Sequence, residues 1–329
     1  MASSPNISMF GTGSIGFLRA YLVTMRPYLM VLSGITGMAG MSLASEVSLP
    51  KSGLILLASF LSYGFGQALT DCFQIDTDRI SAPYRPLTQG VVDRSHVLGV
   101  SLTGLAFCVL VFAAANPLNL LLGAIAAVGL ATYTPFKRRW WGGPWYNAWI
   151  VAVLFIMGYL AGTRRIETPF PPSLPWILAT VFFGYANFVL VGYYKDIGAD
   201  TQSGYRTLPV VVGREISARV SDILAGAAAV ALLVARLRIP DGTDFPLSNL
   251  VSWSLIAAAL GASLRSQLLL TTITRDAEAH RAIGFVVHSY ILGLSGVSIA
   301  ARPGWTGPLL ALYLLFLILL RTRPSRSQI

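Results

Sequence analysis

Residues 53–78 read GLILLASFLSYGFGQALTDCFQIDTD, an apolar run that ends directly in three aspartates, Asp71, Asp76 and Asp78. About 20 apolar residues in a helix cross the hydrocarbon core of a bilayer. The run 53–71 therefore predicts a membrane-spanning helix with its acidic end at the membrane surface. If the helix continues past residue 71, Gln67, Asp71, Gln74 and Asp78 recur at three- and four-residue steps and share one stripe, with Asp76 off it. Asp71 and Asp78 then suit a hard divalent cation, and the amide oxygen of Gln74 can assist. Any one of these aspartates alone reads as a solvated helix end. Two or three of them closing an otherwise apolar span point to function.

Working outward, apolar runs recur near 28–45, 96–115, 118–135, 146–162, 174–194, 217–236, 248–270, 282–301 and 305–320. The 329 residues are 54% hydrophobic and 12% charged, against about 25% charged for a soluble domain. The reading is an all-α, polytopic membrane protein of nine or ten transmembrane helices. Residues 1–18 read as a disordered N-terminal tail, 19–321 as a single transmembrane domain and 322–329 as a basic C-terminal tail. With ten spans and a cytoplasmic N-terminus, seventeen basic residues fall on the inner side and six on the outer. That bias predicts a multi-pass protein whose acidic loops face the cytoplasm. The net charge of +10 is scattered over short loops and follows topology, so no nucleic-acid partner is expected. Two cysteines and three dispersed histidines offer no disulfide framework and no zinc or haem spacing.

Two further loops share the predicted inner side. Tyr133-Thr-Pro-Phe-Lys137-Arg138 closes the fourth span with two cations. They suit a phosphate, or they snorkel at the interface. After the sixth span, Lys195 precedes Asp196 and Asp200, one helical turn apart on one face. Two carboxylates so close repel unless a cation, a metal or Lys195, lies near them. The turn after the first acidic loop, rich in proline and closed by Gly90, brings Arg79 and Arg85 near the aspartates. Arginine there suits a phosphate or simply pairs with an acid. One acidic loop follows the second span and one follows the sixth, which hints at two related halves facing a shared site.

Together these loops resemble the UbiA superfamily of intramembrane prenyltransferases. Asp71…Asp78 followed by Pro83-Tyr84-Arg85-Pro86 and Gly90 is similar to that family's first motif, NDxxDxxxD with a following RP and G. Tyr133 to Arg138 resembles its YxxxKR segment, and Asp196 to Pro209 its DxxxDxxxGxxTLP. The resemblance covers roughly residues 20–300 and implies a central cavity open to the cytoplasmic face and sideways to lipid. It also implies two magnesium ions, held by Asp71, Gln74, Asp78, Asp196 and Asp200, gripping a prenyl diphosphate. Tyr133, Arg85, Lys137, Arg138 and Lys195 would bind the diphosphate. Departures stand at Thr70 for the family's Asn, Gln74 for its middle Asp, and Tyr193 where another acid often sits.

The implied activity is transfer of a prenyl group to a lipophilic acceptor, aromatic by preference, with pyrophosphate release. A terpene cyclase on the same fold is the alternative. Rings such as Tyr63, Phe65, Phe73, Tyr185 and Tyr194 would then steady a migrating cation or serve as ordinary packing. A transporter built of two halves is the third reading, disfavoured by the grouping of acids and bases on one side.

Overall fold

The computed structural model describes residues 10–163, 169–241 and 246–323. Among the described residues the chain forms thirteen α-helices: α1 Ile15–Met25, α2 Pro27–Ser42, α3 Leu49–Asp71, α4 Ile75–Ser81, α5 Arg94–Ala115, α6 Leu118–Lys137, α7 Gly143–Ala161, α8 Leu174–Tyr193, α9 Ile197–Gln202, α10 Leu208–Leu237, α11 Pro246–Leu270, α12 Ala279–Ala301 and α13 Thr306–Arg321. Among the described residues nine helical stretches are long and apolar enough to cross a membrane, and there are ten if α1 and α2, bent by 59°, count as one span. This matches the nine or ten spans read from the runs.

The first difference lies at the N-terminus. Residues 15–18, expected in a tail, are the first turn of α1, whose start is capped by Ser14 Oγ accepting from the Phe17 N–H at 3.1 Å. Residues 1–9 and 324–329 of the two expected tails lie outside the described residues, as do Arg164, Arg165 and Arg326 of the charge comparison.

Helices α2, α3, α5, α6, α7, α8 and α12 form a ring of neighbours, with α10 and α11 outside α8 and α12, and α13 against α2 and α12. The largest core joins α2, α7, α8 and α12 through Leu32, Ile35, Phe155, Val181 and Val287. Packing in lipid depends on close backbone approach rather than on the hydrophobic effect between helices. The α2–α7 contact shows it: a Cβ on Gly158 would strike the Gly37 carbonyl, and one on Gly40 the Phe155 carbonyl. The ring encloses a cavity of about 240 Å³.

Candidate active site

The two short helices α4 and α9 sit at the cavity's mouth, and side chains tie their loops together. Thr77 Oγ1 donates to Asp200 Oδ1 at 3.2 Å, joining the first acidic loop to the second. Lys137 Nζ donates to Gln74 Oε1 at 2.7 Å, joining the basic loop to the first. Arg138 pairs with Asp76 at 2.9 Å and donates to the Tyr205 hydroxyl at 3.1 Å, while that hydroxyl donates to the other Asp76 oxygen at 3.0 Å. The three loops, far apart in sequence, thus meet at one end of the bundle.

The continuous stripe expected through Asp78 is interrupted. Helix α3 ends at Asp71, residues 72–74 form a tight turn, and α4 restarts at Ile75. Gln67 and Asp71 keep their one-turn relation, with Gln67 Nε2 donating to Asp71 Oδ1 at 2.7 Å. Asp78 comes back beside Asp71 because Arg85 reaches both, pairing with Asp78 and lying 3.7 Å from Asp71. Arg26 donates to both oxygens of Asp71 at 2.9 Å. Burial disfavours the Arg85 charge, but Asp71 and Asp78 more than offset that and raise its pKa. Removing one partner of such a buried pair costs about 3–5 kcal/mol.

The second loop is differently supplied. Asp200 is fully buried and accepts from Thr77 and from Thr207 Oγ1, the latter at 3.1 Å. Burial pushes its carboxyl up to about 6, which Lys137 only partly counters. Lys195, half-buried, is pushed down to about 8 by burial, with Asp196 acting against that shift. Asp196 begins α9, and Gly204, in the left-handed region at φ 78°, turns the chain out of it towards Thr207 and α10.

The polar end of the cavity is lined by Arg26, Gln67, Gln74, Lys137, Lys195 and Asp196. Of the predicted site residues, Gln74, Tyr133, Lys137, Lys195 and Asp196 face it. Lys137 is only 7% exposed, so it does not snorkel. Arg85 and Arg138, expected on the diphosphate, are not on the wall, because each is drawn to acids of the first loop. Asp71, Asp78 and Asp200 stand behind the wall. Of the five rings weighed for cation handling, Tyr63 and Tyr185 line the cavity. Phe65 packs on Tyr21, Phe73 lies under Arg94, and Tyr194 donates to the Arg214 carbonyl at 2.6 Å. Arg26 was missed as a site residue. Its signal was a lone arginine followed by Pro27 at the head of an apolar run, a helix-start pattern rather than a topological charge.

Magnesium prefers oxygen ligands and keeps several waters. The donors here are all oxygen, and Asp200, whose two oxygens accept from the neutral hydroxyls of Thr77 and Thr207, suits such a cation together with Asp196 on the wall. The first loop fits less well, since its oxygens already hold arginine, lysine and amide partners. Among the described residues, no three acidic, histidine or cysteine side chains are grouped to hold a metal.

The model of the UbiA prenyltransferase family matches residues 32–291. A digeranylgeranylglyceryl phosphate synthase of Pyrococcus abyssi is 27% identical over 210 residues, 63% of this chain and 73% of that one. One from Ignicoccus hospitalis is 26% identical over 290 residues, 86% and 91% of the two chains. A solved UbiA homolog from Archaeoglobus fulgidus, bound to GPP and Mg2+, superposes with a TM-score of 0.61 at 17% identity, covering 85% of this chain and 99% of its own.

Proposed function

Because the chain belongs to the UbiA prenyltransferase family, we propose that it transfers an isoprenyl group from a prenyl diphosphate to a lipid alcohol, with magnesium and with release of pyrophosphate. The acceptor class follows the relatives named digeranylgeranylglyceryl phosphate synthase. It is a glyceryl phosphate carrying one geranylgeranyl chain, in place of the aromatic acceptor first expected. The observation that carries the reading is Lys137, buried at the mouth of an apolar cavity between Gln74 of the first acidic loop and the buried Asp200 of the second.

In the reaction, the allylic C–O bond breaks and its electron pair leaves with the diphosphate. The acceptor hydroxyl oxygen then bonds to the allylic carbon and gives its proton to the released diphosphate. Magnesium, when bound, neutralises charge on the departing diphosphate. Asp196 and Asp200 are the residues to hold it. Lys137 and Lys195, on the wall, meet the phosphate oxygens, and preorganised cations of this kind stabilise developing charge. Tyr133, whose hydroxyl lies 3.1 Å from that of Tyr193, closes the wall beneath them. The apolar cavity keeps water from the allylic cation. The charge bias of the loops supports a mouth that opens to the cytoplasm.

A cyclase reading draws on the rings of Tyr63, Tyr185 and Tyr193 on the same wall. One experiment separates the two. Purified protein is given magnesium and geranylgeranyl diphosphate, with and without the glyceryl phosphate acceptor, and products are weighed by mass spectrometry. A diprenyl ether made only with acceptor supports transfer; a cyclic hydrocarbon made without acceptor supports cyclisation; no pyrophosphate in either arm overturns both.

A further inference from the structure

The two acidic loops meet, but their oxygens are not equally available. Arg26 holds both oxygens of Asp71 at 2.9 Å, with Gln67 adding a third hydrogen bond at 2.7 Å. Arg85 holds Asp78. The carbonyl oxygen of Gln74 is taken by Lys137 at 2.7 Å. Of the four motif aspartates, only Asp196 reaches the cavity wall.

Arg26 occupies its position against conformational preference. It has φ 53° and ψ 69°, and among the described residues it is the one non-glycine residue with positive φ. Left-handed backbone is disfavoured for a residue with a Cβ. Such strain persists where the surroundings over-determine it, often at functional sites. The residue sits at the 59° break between α1 and α2. The break lets one guanidinium both grip Asp71 and line the cavity.

We propose that the Arg26 guanidinium stands where a metal ion on the first acidic loop would sit, so that this chain binds prenyl diphosphate with one divalent cation, held by Asp196 and Asp200, rather than two. This rests on the prenyl diphosphate reading above. Gln74, neutral where the family pattern has a carboxylate, fits a loop whose cation is a protein side chain.

The test counts ions. The full chain is titrated with Mn2+, which is visible by electron paramagnetic resonance, in saturating geranylgeranyl S-thiolodiphosphate, an analogue slow to ionise. One Mn2+ per chain with no coupled Mn–Mn signal is the expected result. In the double variant Arg26→Ala, Gln74→Asp, a second ion and the coupled signal should appear. Two coupled ions in the unaltered chain overturn the proposal and leave the transferase reading intact. So does a double variant that still binds the analogue with one ion. A double variant that fails to fold leaves the decision to the count in the unaltered chain. Failure of that chain to bind Mn2+ or the analogue overturns both readings.

Discussion

Asp71 and Asp196 carry the same side chain into opposite surroundings. Asp71 is sealed behind the wall between Arg26 and Arg85, whereas Asp196 faces the cavity beside Lys195. Asp71→Ala leaves two buried arginines short of a partner, so stability in detergent should fall by about 3–5 kcal/mol, read as a lowered melting temperature. Asp196→Ala should melt within about 0.5 kcal/mol of the unaltered protein yet release no pyrophosphate. Equal melting of the two variants would mean that the Arg26–Asp71 pair does not hold the fold. Lys137→Ala removes a charged hydrogen-bond donor worth about 1.5–3 kcal/mol. Prenyl diphosphate binding should weaken by about 10- to 100-fold on that scale, measured by isothermal titration. The acids were legible in the sequence because a carboxylate at the end of an apolar span has few bland explanations. Their protein counter-ions were not, since an arginine beside a span is also what topology demands. Only the fold distinguishes Arg26, turned inward onto Asp71, from Arg79, left exposed.

At the level of helices, the site depends on α4 and α9 being locked together by the Thr77–Asp200 hydrogen bond. Thr77→Val keeps the shape and deletes the donor. It should cost about 1 kcal/mol of stability and lower turnover by roughly fivefold if that energy is expressed in the transition state. Unchanged turnover would show that Asp200 is held without it. Gly158→Ala sets a methyl group against the Gly37 backbone, which cannot yield as a side chain can. Overpacking of this kind costs about 1–3 kcal/mol, and the melting temperature in detergent should drop accordingly. The long helices were readable because twenty apolar residues have one cheap solution in lipid. The turn at residues 72–74 was not, because Cys72 and Phe73 carry no proline or glycine signal. It accompanies the docking of α4 on α9 and the pull of Arg85 on Asp78, both contacts between residues distant in the chain.

For the molecule as a whole, orientation is the first quantity to measure. Arg79 is exposed on α4, at the end of the bundle that carries all three motif loops. Arg79→Cys in sealed vesicles should react with a membrane-impermeant maleimide only from the cytoplasmic side, while buried Cys72 and Cys108 stay unlabelled. Labelling from the other side alone would invert the proposed topology. At about 240 Å³ the chamber is smaller than the ~300–1,000 Å³ usual for sites that enclose a drug-sized ligand. Ala127 of α6 belongs to its wall and is solvent-accessible. On the proposed reading the chamber holds the reacting ends, and the hydrocarbon tails of acceptor and product are expected to extend between the helices into the surrounding acyl chains. Lipid is then a component of the reaction vessel, and turnover becomes a property of the solvent around the helices: swapping a short-chain detergent for nanodiscs of matched thickness should alter rate and product size with every side chain unchanged.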